Sequence, residues 1–292
     1  MDYRVFLCFT WRRNVKEIIT SRQNPRVREV CALTEKKKRR ETGLFRFDGV
    51  KLLGEALRGG IDLETVLVRQ PASAAVETLL REAVSAGRLG EERLLLVSES
   101  VFDKLSEEKA PEGVLTVARM PIELHRGILA TEIAEEIAPE ETLLVAESLR
   151  DPGNLGTVMR SCAALGIDRL ILRGDCAELY NPKTVRSAMG ALFRLPTLTV
   201  ATEEFPAMIG ALRRTGRRVF AAALRENAAE IGGLSLRRGD CFVIGNEGHG
   251  LREETIIACD GAAIIPMREG NESLNAAAAA AICIWETVRA AR

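Results

Sequence analysis

Residues 264–275 of the chain have the sequence IIPMREGNESLN and run directly into alanines at 276–281. An earlier turn, also rich in glycine and polar residues, has the sequence GNEGHG at 245–250. Each turn follows a short apolar run that is typical of a buried strand, at 241–244 and at 262–265. If these strands are neighbours, their carboxyl ends form a crevice lined with backbone N–H and C=O groups, where open α/β sheets bind small ligands. The turns contain neither a metal-ligand cluster nor a Ser-His-Asp set, so they predict a cofactor site built mainly from backbone groups.

A third loop, ESLRDPGNLGTVMR at residues 147–160, joins a predicted strand at 143–146 to a predicted helix. The dinucleotide fingerprint GxGxxG and the phosphate-binding pattern GxxxxGKS/T do not occur in it, which argues against the commonest nucleotide-binding enzymes. Asn154 is a suitable cap for the helix, and Arg160 lies about two turns further on, on roughly the same face. A capped helix with a solvent-exposed arginine would have the same sequence, so this loop alone does not identify a function.

From residue 142 onward, strand-like apolar runs alternate with helical patterns. Alternation at this spacing predicts an α/β domain with a mostly parallel sheet that is covered on both faces. The predicted strands are 143–146, 169–172, 195–199, 218–222, 241–244 and 262–265. The predicted helices are 155–165, 181–191, 205–214, 252–258 and 274–290.

Together, in this order and spacing, the three loops resemble the motifs of the SpoU (TrmH-like) class of SPOUT RNA methyltransferases. The matching residues fall within 154–166, 244–251 and 265–275, and the resemblance covers about 150 residues. It implies a C-terminal SPOUT domain whose chain is threaded through a loop as a trefoil knot, a topology that ordinary connection rules would not predict. It also implies a homodimer that transfers a methyl group from S-adenosylmethionine to a ribose 2′-hydroxyl of RNA, with rRNA of the large subunit as the expected substrate.

The resemblance also assigns roles to individual residues by motif position. The implied catalytic residues are Arg160, Asn154, Ser273 and Asn275. The implied cofactor-binding residues are Gly245, Asn246, Glu247, Ile265, Met267 and Leu274. A free guanidinium is not normally a base, so Arg160 either binds the RNA phosphate and polarises the 2′-hydroxyl or becomes a transient base through nearby charge. We favour the first of these roles on physical grounds.

The first part of the chain is strongly basic, although the whole chain is neutral with 41 Lys+Arg and 41 Asp+Glu. Between Arg12 and Lys51, thirteen Lys and Arg stand against five acids, a surplus of 13 − 5 = 8 positive charges. The pattern predicts a basic helix over 26–40. Such a surplus is typical of nucleic-acid binding, although a solvated helix face or a flexible arm has the same composition. The candidate RNA-binding residues are Arg22, Lys36, Lys37, Lys38, Arg39 and Arg40.

Composition divides the chain into four segments. We expect a possible loose extension at 1–15, a smaller α/β RNA-binding domain at 16–120, a linker at 121–141 and the methyltransferase domain at 142–292. The second segment resembles the ribosomal-protein-like substrate-binding domain that often precedes a SpoU domain. Prolines and glutamates between 121 and 141 predict that the linker contains an acidic helix.

The inventory of reactive residues excludes several classes of function. Seven scattered cysteines without a CxxC pair indicate reduced thiols in a cytoplasmic protein. With two histidines in the chain, we expect no metal site. No apolar run approaches the roughly 18 residues of a membrane span, so no membrane association is expected.

Three other functions are compatible with the same motifs. A tRNA could replace rRNA as substrate, a SPOUT enzyme could methylate a base instead of a ribose, or the protein could bind RNA without catalysis. Asn154 and Arg160, together with Ser273-Leu274-Asn275, favour ribose methylation, and the intact catalytic set argues against a non-catalytic protein. A Rossmann dehydrogenase is disfavoured because its glycine fingerprint is missing.

Overall fold

The computed structural model describes residues 17–268 and 273–291, and the chain divides into two compact units, Met1–Pro121 and Ile122–Arg292. The predicted extension at 1–15 lies outside the described residues. The expected threading of the C-terminal segment as a knot includes residues 269–272, which also lie outside them. Among the described residues, no helix is long and apolar enough to cross a bilayer.

The first unit is a mixed sheet with helices packed against it. Its strands are β1 (Ile18–Ile19), β2 (Leu44–Asp48), β3 (Leu63–Gln70), β4 (Leu94–Ser98) and β5 (Val114–Arg119). Its helices are α1 (Pro25–Ala32), α2 (Lys36–Thr42), α3 (Val50–Arg58), α4 (Ala74–Ser85) and α5 (Glu99–Leu105). The strand order is β1-β4-β3-β5-β2, in which β5 runs antiparallel to both of its neighbours. Val27 of α1 and Phe102 of α5 are buried with Leu67 and Leu115 of the sheet in one apolar core.

The basic helix predicted over 26–40 is interrupted, and this prediction was wrong. The chain forms two helices, α1 and α2, with a turn at 33–35 between them. Leu33 is buried in the core at this turn, and the guanidinium of Arg39 donates to the carbonyls of Leu33 (2.8 Å) and Thr34 (2.7 Å). Carbonyls at the end of a helix lack partners within the helix, so Arg39 satisfies groups that the break exposes.

The second unit is an eight-stranded parallel sheet. Its strands are β6 (His125–Gly127), β7 (Leu143–Ala146), β8 (Arg169–Arg173), β9 (Thr197–Val200), β10 (Val219–Ala222), β11 (Ala229–Glu230), β12 (Cys241–Ile244) and β13 (Gly261–Ile264). Its helices are α6 (Ile133–Glu136), α7 (Pro152–Leu165), α8 (Pro182–Ala188), α9 (Phe205–Arg214), α10 (Glu253–Ala258) and α11 (Ala276–Ala291). The strand order is β11-β13-β10-β12-β7-β8-β9-β6, and neighbouring strands in this order are parallel.

Helices cover both faces of this sheet, as a buried parallel sheet requires. Val145 of β7 and Val243 of β12 point to one face, where they join Phe205 and Met208 of α9 in the apolar core. On the opposite face, α11 packs against β12 and α7, and α7 packs against α8. The expectation of an α/β fold with a mostly parallel sheet is confirmed.

We expected residues 121–141 to form a linker, but residues 122–141 are part of the second unit. Strand β6 pairs with β9 at one edge of the sheet, and the helix α6 follows it. Ile128, Ile133 and Ile137 are buried in the same core as β7 and α9. Prolines and glutamates dominate the composition of this segment, so its composition did not indicate the apolar residues that fix it to the sheet. The imidazole Nδ1 of His125, in β6, lies 2.7 Å from the hydroxyl oxygen of Tyr180. Burial lowers the pKa of this imidazole to about 4.

Candidate cofactor-binding and catalytic site

A cavity of about 430 Å³ opens at the carboxyl ends of β10, β12 and β13. Its volume is in the usual range for small-molecule sites, about 300–1,000 Å³. It is lined by all the residues predicted to bind the cofactor and by one predicted catalytic residue, namely Gly245, Asn246, Glu247, Ile265, Met267, Leu274 and Ser273. The structure therefore brings the two C-terminal motifs together at one edge of the sheet.

The strands that precede these two motifs are not neighbours, as we had expected them to be. Strand β10 lies between β12 and β13 and pairs with both. As a result, residues 222–225, at the carboxyl end of β10, form a third wall of the cavity. Leu224 is 58% exposed in this wall. Sequence reasoning missed this wall because it has no glycine- or asparagine-rich turn, and only the sheet order reveals it.

The turn at 245–250, which we call the glycine loop, is held closed by its own backbone. The N–H of Asn246 donates to the carbonyl of Gly250 and the N–H of Gly250 donates to the carbonyl of Asn246, both at 3.0 Å. The side-chain oxygen of Asn246 accepts from the N–H groups of Gly248 (2.9 Å) and His249 (3.2 Å). A Cβ atom added at Gly245 would lie 2.4 Å from the carbonyl carbon of Gly250, so this closure requires glycine at the first position.

A chain of side-chain hydrogen bonds joins all three motifs. The amide nitrogen of Asn154 donates to the carboxylate of Glu247 at 2.7 Å. The amide oxygen of Asn154 accepts from the amide nitrogen of Asn275 at 3.1 Å. Asn275 in turn caps α11, because its side-chain oxygen accepts from the N–H of Ala277 at 2.9 Å. Asn154, Glu247 and Asn275 thus form one connected group beside the cavity.

Helix α7 begins three residues earlier than the predicted Asn154 cap would allow. Its cap is Asp151, whose carboxylate accepts from the N–H of Asn154 at 2.8 Å, and Pro152 is the first helical residue. Lys183 of α8 lies 2.7 Å from the other carboxylate oxygen, and this hydrogen bond lowers the pKa of Asp151 below its usual value. Because Asp151 caps the helix, the side chain of Asn154 is available for Glu247.

Helix α7 lies very close to α8 at Gly156. A Cβ atom at this position would be 2.5 Å from the carbonyl oxygen of Thr184 and 2.6 Å from the Cβ of Ser187. Only glycine allows this approach, which fixes the position of α7 and of the residues that it carries.

Arg160 is exposed on α7 and is not among the residues that line the cavity. Its guanidinium forms no hydrogen bond or ion pair with residues 17–268 or 273–291. Six residues along a helix correspond to a rotation that falls about 120° short of two whole turns, so Arg160 does not share the face of Asn154 as we had expected. It presents an unpaired positive charge to solvent within the described part of the chain.

The predicted RNA-binding residues of the first unit differ in their exposure. Arg22, Lys36, Lys37 and Arg40 are exposed, and Lys38 is half-buried. Arg39 is 1% exposed and is committed to the turn between α1 and α2. It is therefore removed from the RNA-binding set. The remaining α2 cations form a positively charged surface on one short helix.

Comparison with known proteins identifies the family of each unit. The profile of the SpoU rRNA Methylase family matches residues 141–285, and that of the MRM3-like substrate binding domain matches residues 24–116. A 23S rRNA (uridine(2479)-2′-O)-methyltransferase of Streptomyces viridochromogenes is 30% identical over 278 residues, which are 93% of this chain and 91% of that protein. The chain belongs to the SpoU rRNA methylase family.

Other SpoU proteins and solved structures are similar over nearly the whole chain. The 23S rRNA (guanosine(2553)-2′-O)-methyltransferase RlmP of Bacillus subtilis is 29% identical over 91% of this chain and 97% of its own length. An AdoMet-bound rRNA methyltransferase from Sinorhizobium meliloti superposes with a TM-score of 0.77 at 30% identity, covering 94% of this chain and 97% of the other. The SpoU methyltransferase AviRb from Streptomyces viridochromogenes, in complex with AdoMet, has a TM-score of 0.74 at 27% identity over 91% and 98% of the two chains.

Proposed function

We propose that this SpoU protein methylates a ribose 2′-hydroxyl of large-subunit rRNA, with S-adenosylmethionine bound in the cavity at β10, β12 and β13. The observation that carries the proposal is the hydrogen-bonded group of Asn154, Glu247 and Asn275, which joins the three motifs at the mouth of that cavity. The rRNA substrate is proposed because the similar proteins of Bacillus subtilis and Streptomyces viridochromogenes are 23S rRNA 2′-O-methyltransferases.

The cavity has the properties that this cofactor requires. It is lined by strand ends and by the closed backbone of the glycine loop, and a Cβ at Gly245 would clash with the backbone of Gly250. Leu274 and Ile265 supply apolar surface, and Glu247 supplies a carboxylate next to a ligand that carries positive charge. S-adenosylmethionine brings a methyl group on a sulfonium centre that already contains the leaving group, so the protein's tasks are alignment and removal of one proton.

The hydrogen bonds give Asn154 and Asn275 a positioning role in this proposal. Both polar atoms of the Asn154 amide are used, one for Glu247 and one for Asn275. The Asn275 amide likewise bonds to Asn154 and to the first turn of α11. We therefore assign these two residues to fixing the carboxylate of Glu247 and the start of α11, and Ser273, which lines the cavity, to contact with bound ligand.

Arg160 is assigned to the RNA. Its guanidinium has no acidic partner within the described residues. A phosphate beside the target ribose would provide that partner through two parallel hydrogen bonds. Arg160 would then orient the 2′-hydroxyl toward the methyl group, and the proton would leave to phosphate or water.

The decisive experiment uses purified protein, methyl-labelled S-adenosylmethionine and unmodified 23S rRNA or tRNA. We expect the label to enter 23S rRNA and to be recovered in dinucleotides that resist alkali, because only 2′-O-methylation blocks alkaline cleavage at the modified nucleotide. Label in tRNA alone would shift the substrate to tRNA. Label in alkali-sensitive nucleotides would indicate base methylation, and binding of RNA without transfer would indicate a non-catalytic protein.

The exposed cations of α2 are proposed to contact RNA phosphates. Replacing Lys36, Lys37 and Arg40 with glutamine is expected to weaken rRNA binding and to make its salt dependence shallower, since each phosphate contact contributes about 0.7–0.9 to the slope of log K against log salt concentration. Loss of three contacts should therefore reduce the slope by about 2–3. Binding is measured by filter retention over a salt series.

The matched control neutralises three exposed arginines of the same unit that lie outside the basic run. These are Arg58, Arg81 and Arg88, all replaced by glutamine. The control should keep the wild-type salt slope. An α2 variant that also keeps the wild-type slope would remove this helix from the RNA-binding surface.

We also propose that the protein is a homodimer, as the resemblance to the family implies. Trp285 of α11 is 46% exposed, which is unusual for a large apolar side chain on a helix that packs against the core. Equilibrium sedimentation should give twice the 32.0 kDa mass of one chain. A monomer at all concentrations would reject the dimer.

A further inference from the structure

Glu147, the residue that follows β7, is a completely buried acid outside the cavity. Its carboxylate accepts hydrogen bonds from the guanidinium of Arg173 at 2.6 Å and from the hydroxyl of Thr255 at 2.9 Å. A third bond, at 3.0 Å, comes from the backbone N–H of Arg252. A buried charge is tolerated when it is paired and fully hydrogen-bonded, and here the donors come from β8 and from the first turn of α10.

These contacts fix both ends of the glycine loop. At its entrance, the backbone N–H of Glu147 donates to the carbonyl of Ile244 at 2.8 Å, which extends the pairing of β7 with β12 by one residue. At its exit, the carboxylate of Glu147 accepts the N–H of Arg252. Within the loop, the carbonyl of Ser148 accepts from the side chain of Asn246 at 2.9 Å. Residues 147 and 148 thus contact the chain before, within and after the loop.

The backbone at Ser148 is itself held in an unusual conformation. Its φ of 53° lies in the left-handed region, which residues other than glycine seldom adopt. The hydroxyl of Ser148 donates to the carboxylate of Asp175 at 2.7 Å, so the side chain opposes relaxation of the backbone. Conformations of this kind persist where surrounding contacts over-determine them, and they concentrate at functional sites.

We infer that Glu147 is a positioning residue for methyl transfer, which acts through Arg252 and Thr255 to keep the glycine loop in the shape that binds the cofactor. The inference rests on the proposed function. Glu147 does not touch the ligand, and its effect reaches the cavity through the backbone of the loop. Weakening its hydrogen bonds is therefore expected to lower cofactor affinity without changing the reacting groups.

The test compares two buried threonines that each lose one hydroxyl hydrogen bond when replaced by valine. Thr255→Val removes a donor to Glu147. Thr197 lies on β9, three strands away from β12, and Thr197→Val removes a bond to the carbonyl of Leu195. Titration calorimetry of S-adenosylmethionine should show a Kd about tenfold higher for Thr255→Val and unchanged for Thr197→Val, since a hydrogen bond to a charged group is stronger than one to a neutral group. The kcat at saturating cofactor should be unchanged in both variants.

The stoichiometry of the titration distinguishes a positioning role of Thr255 from a loss of folded protein. A purely structural role for Thr255 would reduce the fraction of active protein and leave the Kd of the remainder unchanged, and that result would overturn the inference. Amide hydrogen exchange at Asn246 and Gly250 gives a second measure, and it should become faster in Thr255→Val than in Thr197→Val. Equal exchange in the two variants would also overturn it. Wild-type protein that binds no S-adenosylmethionine would instead reject the proposed function itself.

Discussion

Replacing Arg160 with alanine is expected to slow methyl transfer by about 100- to 1,000-fold, which is the usual effect of removing one preorganised donor from a transition state. The Kd for S-adenosylmethionine should be unchanged, because Arg160 is not among the residues that line the cavity. The rate of methyl transfer and the Kd for the cofactor respond differently because the guanidinium is proposed to act on the RNA. Single-turnover rates with rRNA and calorimetric titration of the cofactor measure them independently.

Two further variants make this result specific to the position and to the guanidinium. Arg214→Ala removes an exposed arginine at the end of α9 and should retain full activity. Arg160→Lys keeps the charge but loses the planar pair of donors, so its activity should be well below that of the wild type. Near-normal turnover of Arg160→Ala would contradict the assignment of this arginine to the reaction.

Replacing Gly245 with alanine is expected to weaken the binding of S-adenosylmethionine by about 10- to 100-fold, the effect of forcing one extra methyl group into a closely packed site. The added Cβ would meet the carbonyl carbon of Gly250 at 2.4 Å and the nitrogen of Leu251 at 2.6 Å. These are backbone atoms, so the loop must open to relieve the contact. Calorimetry measures the affinity.

The control for this variant comes from the same loop. A Cβ at Gly248 would lie 3.6 Å from the side-chain oxygen of Asn246, an ordinary contact, so Gly248→Ala should bind the cofactor with nearly wild-type affinity. Thermal melting shows whether either variant alters the whole domain. If Gly245→Ala binds as tightly as Gly248→Ala, the closed shape of the loop is not required for binding.

The methyltransferase fold was largely predictable because its strands are buried on both faces and are therefore continuously apolar. The runs at 143–146 and 241–244 were predicted with the boundaries of β7 and β12. Strand β6 was missed because its segment is dominated by proline and glutamate. Strand β11 was missed because it is only two residues long. The family, the fold class, the cofactor and the 2′-O-methylation of RNA were all indicated by the three motifs, and the comparisons confirm them.

The details that the sequence could not supply depend on tertiary contacts. The run of cations at 36–40 does not show that Arg39 turns inward to satisfy the carbonyls of a broken helix. Likewise, Asp151 and Asn154 are both good caps by residue type, and in the structure Asp151 caps α7 and contacts Lys183. The roles of the individual site residues remain predictions that the variants above will test.

The insertion of β10 between β12 and β13 has a consequence for how the site is completed during synthesis. A nascent chain that has emerged as far as α10 contains two walls of the cavity, from β10 and β12, but lacks β13 and Leu274. The last wall comes from β13, which pairs with one side of β10. The other side of β10 is by then already paired with β12. On the proposed site, S-adenosylmethionine would bind and stabilise only those chains whose sheet is finished.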